Sequence, residues 1–353
     1  MMMYEGREGN EMSKQRSTFA GLFVSCLTGF VVVAAVWAAR PAASALRQVP
    51  SVSLSPNLTI GVDEGDEKLM FGWIVRVDVD DRGNIYILDY KFRRVSVFDN
   101  KGNLLRQIAV PEGQGPQEAT DLAGIAVTPS GTMFINDMQK VIVYGPDGRY
   151  VRTFLVDFMI SSIGCPGTEE LVGIGPHEGK ILHVFDAQGK LVASFGDTFT
   201  PPEKLEPMKG SPFFGAPARF NCAKDGRIFV LNPHRYEVSV FKDRKLERVI
   251  QGRNDAFKPI QKMGHGFVST AADIVSSGDL VFVALRKMDP RAKMTADIFQ
   301  AGRQIGSIEL PGTPMVADRQ SMIYIAEQEG GPFGGLLGEE GFPKVIRCAV
   351  IKN

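Results

Sequence analysis

The stretch DVDDRGNIYILD (residues 78–89) sets a polar turn around Gly83 before a strand in which Ile85 and Ile87 face one way and Tyr86 and Leu88 the other. The phrase returns as TPSGTMFIND (128–137), AKDGRIFVLN (223–232), SSGDLVFVA (276–284) and DRQSMIYIA (318–326). A second phrase follows each copy. RVSVFDNKGNLLRQI (94–108) is answered by KVIVYGPDGRYVRTF (140–154), ILHVFDAQGKLVASF (181–195), EVSVFKDRKLERVI (237–250) and ADIFQAGRQIGSI (296–308). Each second phrase is a strand, a short Asp/Gly/Lys turn and another strand, so one unit of the repeat holds four strands. The anchor aromatics Phe98, Tyr144, Phe185, Phe241 and Phe299 recur every 40 to 60 residues or so, the spacing of propeller blades.

The spacing predicts blades over 73–110, 119–158, 160–197, 212–250, 264–309 and 312–353, the third degenerate in its first half. The last ends in a strand with no following turn, and VSLSPNLTIG (52–61) is the spare strand-like segment that can complete it. Such closure removes edges that would template aggregation. With 353 residues, 44% of them hydrophobic, the chain can bury a large core. Its 40 basic and 40 acidic side chains leave no net field, which argues against a nucleic-acid partner.

The pairing of D-x-x-G-N-I-Y-I-x-D with V-x-V-F-D-x-x-G-K resembles the NHL-type repeats of six-bladed β-propellers over most of 51–353. The resemblance implies an all-β propeller. It does not choose a function, because propellers of this type serve as lyases, lactonases, ligand-binding modules and docking platforms. It also implies that any chemistry would sit on the innermost strands around the central channel.

Residues 19–39 carry no charge and are long enough to span the ~30 Å hydrocarbon core as a helix. The expected organisation is a cytoplasmic tail (1–18), a transmembrane anchor (19–39), a linker (40–50) and the propeller (51–353), the last in the periplasm or an equivalent space. A cleaved signal peptide is the alternative, since Lys14 and Arg16 precede the run and Ala43-Ser44-Ala45 is a cleavage-type site.

The strands before each repeat glycine, read as 73–78, 122–127, 159–163, 216–221, 267–272 and 313–318, offer the channel Arg76, Asp78, Ser161, Ser162, Arg219, Asn221, Ser269, Thr270 and Asp318. Arg76, Asp78, Arg219, Asn221 and Asp318 are the principal funnel candidates. No cofactor, metal or catalytic set is expected. His177, His183, His234 and His265 read as scattered surface residues without ligand spacing. DVDDRG (78–83) fails as a calcium loop, because Arg82 and Asp89 stand where ligands are required. PEGQGPQE (111–118) lacks the Lys-Ser/Thr of a phosphate loop and reads as an inter-blade connection. No G-x-S-x-G occurs. Cys165 and Cys222 precede the repeat glycines of consecutive blades, so a bridge between them is one option.

Two insertions break the rhythm: 198–217, with Phe213 and Phe214, and 327–343, with Phe333, Leu336, Leu337 and Phe342. Apolar residues on long loops are candidate partner contacts. The expectation is a membrane-anchored, non-catalytic protein-binding or structural subunit of a larger membrane complex, whether respiratory, photosynthetic, secretory or envelope-building, with other membrane proteins as partners. The alternatives are a metal-dependent lyase or lactonase, with Arg76 and Arg219 on an anionic substrate and Asp78 or Asp318 near a cation, or a soluble periplasmic ligand-binding protein.

Overall fold

A computed structural model of the chain describes residues 51–200, 219–263, 266–287, 292–328 and 342–352. They form six four-stranded antiparallel sheets, each ordered from an inner to an outer strand, and one extra hairpin, Gln261–Met263 with Gly266–Val268. The molecule is a six-bladed β-propeller. Blades one to five each use four consecutive strands. Blade six borrows its outer strand from the beginning of the propeller: Val52–Ile60 pairs antiparallel with Lys344–Lys352, from Val52 against Lys352 to Ile60 against Val345. The spare segment thus closes the ring as its pattern predicts, and Pro56 is tolerated because it lies on an outer strand beside a register shift.

Among the described residues the apolar core divides into six clusters, one at each junction between neighbouring blades. The anchor aromatics explain this division. Phe98, Tyr144, Phe185, Phe241 and Phe299 pair with Ile85, Met133, Leu171, Ile228 and Val281 on their second strands, and each ring is buried against the preceding blade. Deleting one such ring would cost about 3–5 kcal/mol by transfer and cavity terms together. In blade six the matching position is Cys348, opposite Ile323, which is why the sixth repeat shows no aromatic in sequence. The burial pattern also changes outward. The second strand Ile85–Asp89 is buried throughout, whereas the outer strand Leu104–Ala109 alternates with solvent.

Successive strands run antiparallel, so connections from first to second and third to fourth strand fall on one face of the disc, the turn face. Connections from second to third strand and from blade to blade fall on the other, the mouth face. On the turn face Asp80 folds its own loop. Its Oδ1 accepts from the Arg82 and Asn84 backbone N–H at 2.9 and 2.8 Å, and its Oδ2 from Asn84 Nδ2 at 2.7 Å and Tyr86 OH at 3.2 Å. Asp99, Asp186, Asp225 and Asp318 repeat the device, and Gly83 (φ 80°) holds the left-handed position that only glycine adopts freely. On the mouth face Asp89 and Asp137 fasten the incoming connection. Asp89 accepts from the N–H of Gly72 (2.9 Å) and Trp73 (3.1 Å), and Asp137 from those of Thr120 (3.1 Å) and Asp121 (2.8 Å).

The inner strands of blades three and five depart from expectation. The third runs Ser162–Gly164 rather than 159–163, and the fifth Ala271–Ser277 rather than 267–272. Blade five closes its first hairpin through two residues, Gly278 and Asp279, with Ser277 opposite Leu280, so its inner strand reaches further toward the repeat glycine. The PEGQGPQE stretch is an inter-blade connection, with Gly115 N–H donating to Glu118 Oε2 at 2.8 Å. The apolar run at 19–39 lies outside the described residues. Among the described residues no helix is long and apolar enough to cross a membrane.

Candidate functional site: the channel and its mouth

The alternation of the inner strands turns one side chain in two toward the channel axis or the neighbouring blade. In blade one this sends Arg76 and Asp78 inward, with Val77 buried in the junction with blade six. Arg76, Asp78 and Asn221 share a cavity with Ile125, Cys165 and Cys222. Its open space is about 280 Å³, a figure that includes solvent at its opening.

Two ion pairs span this region. Asp78 Oδ1 lies 2.8 Å from Lys224 Nζ, with both side chains under a tenth exposed. The same carboxylate accepts from the N–H of Val79 at 2.8 Å and of Val127 at 2.7 Å. One side chain therefore binds blades one, two and four. Burial opposes the charge on Lys224, but the Asp78 carboxylate more than offsets it and raises the lysine pKa. The second pair joins Arg76 of blade one to Asp273 of blade five, whose other oxygen accepts from Ile274 N–H at 2.8 Å. Asn221 adds a neutral link, its Oδ1 accepting from the N–H (3.3 Å) and hydroxyl (3.2 Å) of Ser276.

Of the five principal funnel candidates, Arg76, Asp78 and Asn221 converge on the cavity. Arg219 stands exposed as the first residue of its inner strand, at the mouth. Asp318 belongs to a turn, where its Oδ1 accepts from the N–H of Gln320 and Met322 at 2.9 Å each and its Oδ2 from Tyr324 OH at 3.1 Å. Lys224 and Asp273 were missed from sequence. Lys224 lies in the AKDG phrase, where nothing local distinguishes a buried lysine from a solvated turn lysine. Asp273 was hidden by the tight hairpin of blade five, and aligning the blades on their strand pairs rather than on the glycine would have found it.

Cys165 and Cys222 line the same cavity as free thiols. Burial, then the Asp78 charge, pushes both thiols well above the ordinary range, so neither is an activated nucleophile. Gly164 is glycine because a Cβ there would lie 2.8 Å from Cys222 Sγ.

The surface reading of the histidines is corrected. His183 is fully buried, with Nδ1 2.9 Å from Ser194 Oγ, Nε2 2.8 Å from Gly175 O and the rings of Phe158 and His177 both packed against it. It occupies an inward-alternating position of the third strand in blade three, where the ring finds partners for both nitrogens. His234 is buried too, and desolvation lowers the pKa of both rings. His265 lies outside the described residues, among which no three His, Cys, Asp or Glu side chains converge as a metal set would.

Of the partner-contact candidates, Phe213, Phe214, Phe333, Leu336 and Leu337 lie outside the described residues. Phe342 is 41% exposed, with its N–H donating to Asp63 at 3.2 Å. Both insertions depart from the mouth face: 198–217 leads from blade three into the inner strand at Arg219, and the other joins the second strand of blade six, Ile323–Glu327, to the third, Lys344–Lys352.

Comparison with known proteins agrees with this architecture. A family described as a 6-bladed beta-propeller matches residues 64–171. No curated protein matches by sequence. Among solved structures, a protein described as exported from Bacteroides fragilis aligns with a TM-score of 0.57 at 10% identity, covering 85% of this chain and 96% of its own. A member of the DUF4221 family from Bacteroides vulgatus aligns with a TM-score of 0.55 at 10% identity, covering 86% and 99%. At such identity the likeness is one of fold. The NHL-like resemblance read from the repeats holds at that level.

Proposed function

We propose that this six-bladed propeller is an extracytoplasmic binding module, tethered to a membrane by residues 19–39, that docks through its mouth face onto another membrane protein as a non-catalytic subunit. The observation that carries the reading is the engagement of the channel carboxylates: Asp78 is held by Lys224 and two backbone N–H groups, and Asp273 by Arg76 and Ile274. A lyase or lactonase centred on the channel would need one of them, or Asp318, free to hold a cation or move a proton. Asp318 is engaged with its own turn. Two further points support the reading: the insertions bearing Phe213, Phe214, Phe333, Leu336, Leu337 and Phe342 root on one face, and one similar fold is described as exported.

The test is extraction from native membranes in mild detergent, with intact mass of the chain and identification of stoichiometric companions. An intact amino terminus and a companion that Phe333→Ser/Leu336→Ser/Leu337→Ser releases, in a disc whose circular dichroism is unchanged, would support the reading. A soluble solitary chain beginning near Leu46 would overturn the tether, and a companion indifferent to the substitutions would overturn this contact.

A further inference from the structure

The mouth of the channel concentrates guanidinium groups on blades four and five. Asn221 meets Ser276 across the junction between these blades. Arg219, two residues before Asn221, is on the same side of its strand and so stands near the level of Asp273. Arg286 follows the second strand of blade five and donates its backbone N–H to Thr270 O at 2.7 Å, beside the start of that blade's inner strand. Asp273 itself is paired with Arg76. Among the described residues the guanidinium groups of Arg219 and Arg286 have no hydrogen-bonding or ion-pair partner, although both residues remain exposed to solvent. Two guanidinium groups without a side-chain partner thus stand at the mouth on adjoining blades, and the nearby carboxylate, Asp273, is already engaged by Arg76.

We infer that Arg219 and Arg286 form an oxyanion site at the channel mouth, taking the carboxylate or phosphate of a ligand into a fork that none of the described residues fills. Two like charges held close together without a counter-ion destabilise the fold by mutual repulsion, and an arriving oxyanion relieves it while accepting paired N–H bonds from each planar fork. Arg286 registers the environment: desolvation by the surrounding walls, then Arg219, pulls its pKa below the usual guanidinium value against the opposing pull of Asp273. The groups stay charged, since arginine does not deprotonate in proteins. The narrow cavity below, bridged by the Arg76–Asp273 and Asp78–Lys224 pairs, limits what enters to the anionic end of a ligand.

This site is independent of the protein-docking reading, and its test uses no partner. The full chain in detergent is titrated at low salt with inorganic phosphate and, separately, with succinate, by calorimetry and by thermal unfolding. At least one probe should bind saturably, at least about tenfold more weakly in Arg219→Gln/Arg286→Gln and equally in Arg253→Gln, an exposed arginine remote from the site. Which probe binds distinguishes a phosphate from a carboxylate ligand. Without anions the double variant should unfold at the same temperature as the parent or higher, because repulsion is relieved. Absence of saturable binding by either probe, equal binding in the double variant, or a lower unfolding temperature without anions would each overturn the inference.

Discussion

The two faces of the disc are built from the same repeat and do different work. On the turn face every blade is tied to the next by polar contacts. Val127 N–H donates to Asp78 across the first junction, and Ser130 meets Glu169 at 2.8 Å across the second. Arg244 reaches Glu170 and Arg227 reaches Gly278 O, at 2.7 and 2.8 Å. Ser277 donates to Ser321 O at 2.7 Å, and Arg319 pairs with Asp81 at 2.6 Å, closing the circle. The mouth face carries the long insertions and, among the described residues, two guanidinium groups without a side-chain partner, and Gln328 ties it across blades on the backbone of Ile74, at 2.9 and 2.8 Å. A ring closed firmly on one side leaves the other free to vary, which is how a shared scaffold acquires different binding surfaces.

The largest test of this division is Lys224→Met. Removing one member of a buried pair leaves the other charge uncompensated and should cost about 3–5 kcal/mol, less when Asp78→Asn is combined with it. Chemical denaturation of the single and double variants checks both values. Anion binding at the mouth should survive in the folded fraction. If it disappeared, the two faces would be coupled.

Asp80→Ala should come next. It strips acceptors from two backbone N–H groups, an Asn84 amide and the buried Tyr86 hydroxyl, and a loss of about 1–3 kcal/mol is expected. Asp318→Ala, the same device in blade six, should behave alike. A loss of partner binding without loss of stability in Asp318→Ala would give that residue a functional role.

The architecture was legible because five of the six blades repeat one buried aromatic position and most repeat one turn chemistry, and Phe98, Tyr144 and Asp80 announce both. Ring closure was legible too, since Val52–Ile60 had no other partner in the count. The channel was legible only in part. Arg76, Asp78 and Asn221 follow from strand alternation, but the partners that decide their chemistry, Lys224 and Asp273, lie 146 and 197 residues away and owe their positions to the ring. Blade three shows the same limit, for His183 stands where Ser96 and Ser239 stand in other blades, and nothing in its neighbours foretells two hydrogen-bond partners.

That histidine makes a smaller, pH-dependent prediction. Burial lowers the pKa of His183, and of His234, from the ordinary 6.5. An unfolded chain takes up these protons near that value while the folded chain does not, so between the lowered folded values and 6.5 the unfolded state binds more protons. Stability should therefore be full above this window and fall as pH drops through it. Thermal unfolding from pH 7.5 down to about 5 should show the decline, and His183→Gln, which keeps one donor and one acceptor, should flatten it. An unchanged slope would assign the acid sensitivity to other groups.

The smallest effect should come from Arg319→Ala. Its ion pair with Asp81 closes the ring of contacts on the turn face, but the two side chains are 44% and 35% exposed. Water screens such a pair and ordering the long arginine side chain offsets much of the attraction, so the loss should stay within ~1 kcal/mol and shrink in high salt. Closure by the borrowed strand predicts the same order, because Val52–Ile60 already joins the two ends of the propeller through a backbone ladder interrupted only at the Pro56 register shift. A loss of several kcal/mol in Arg319→Ala would mean that the polar belt, and not the borrowed strand, holds the ring shut.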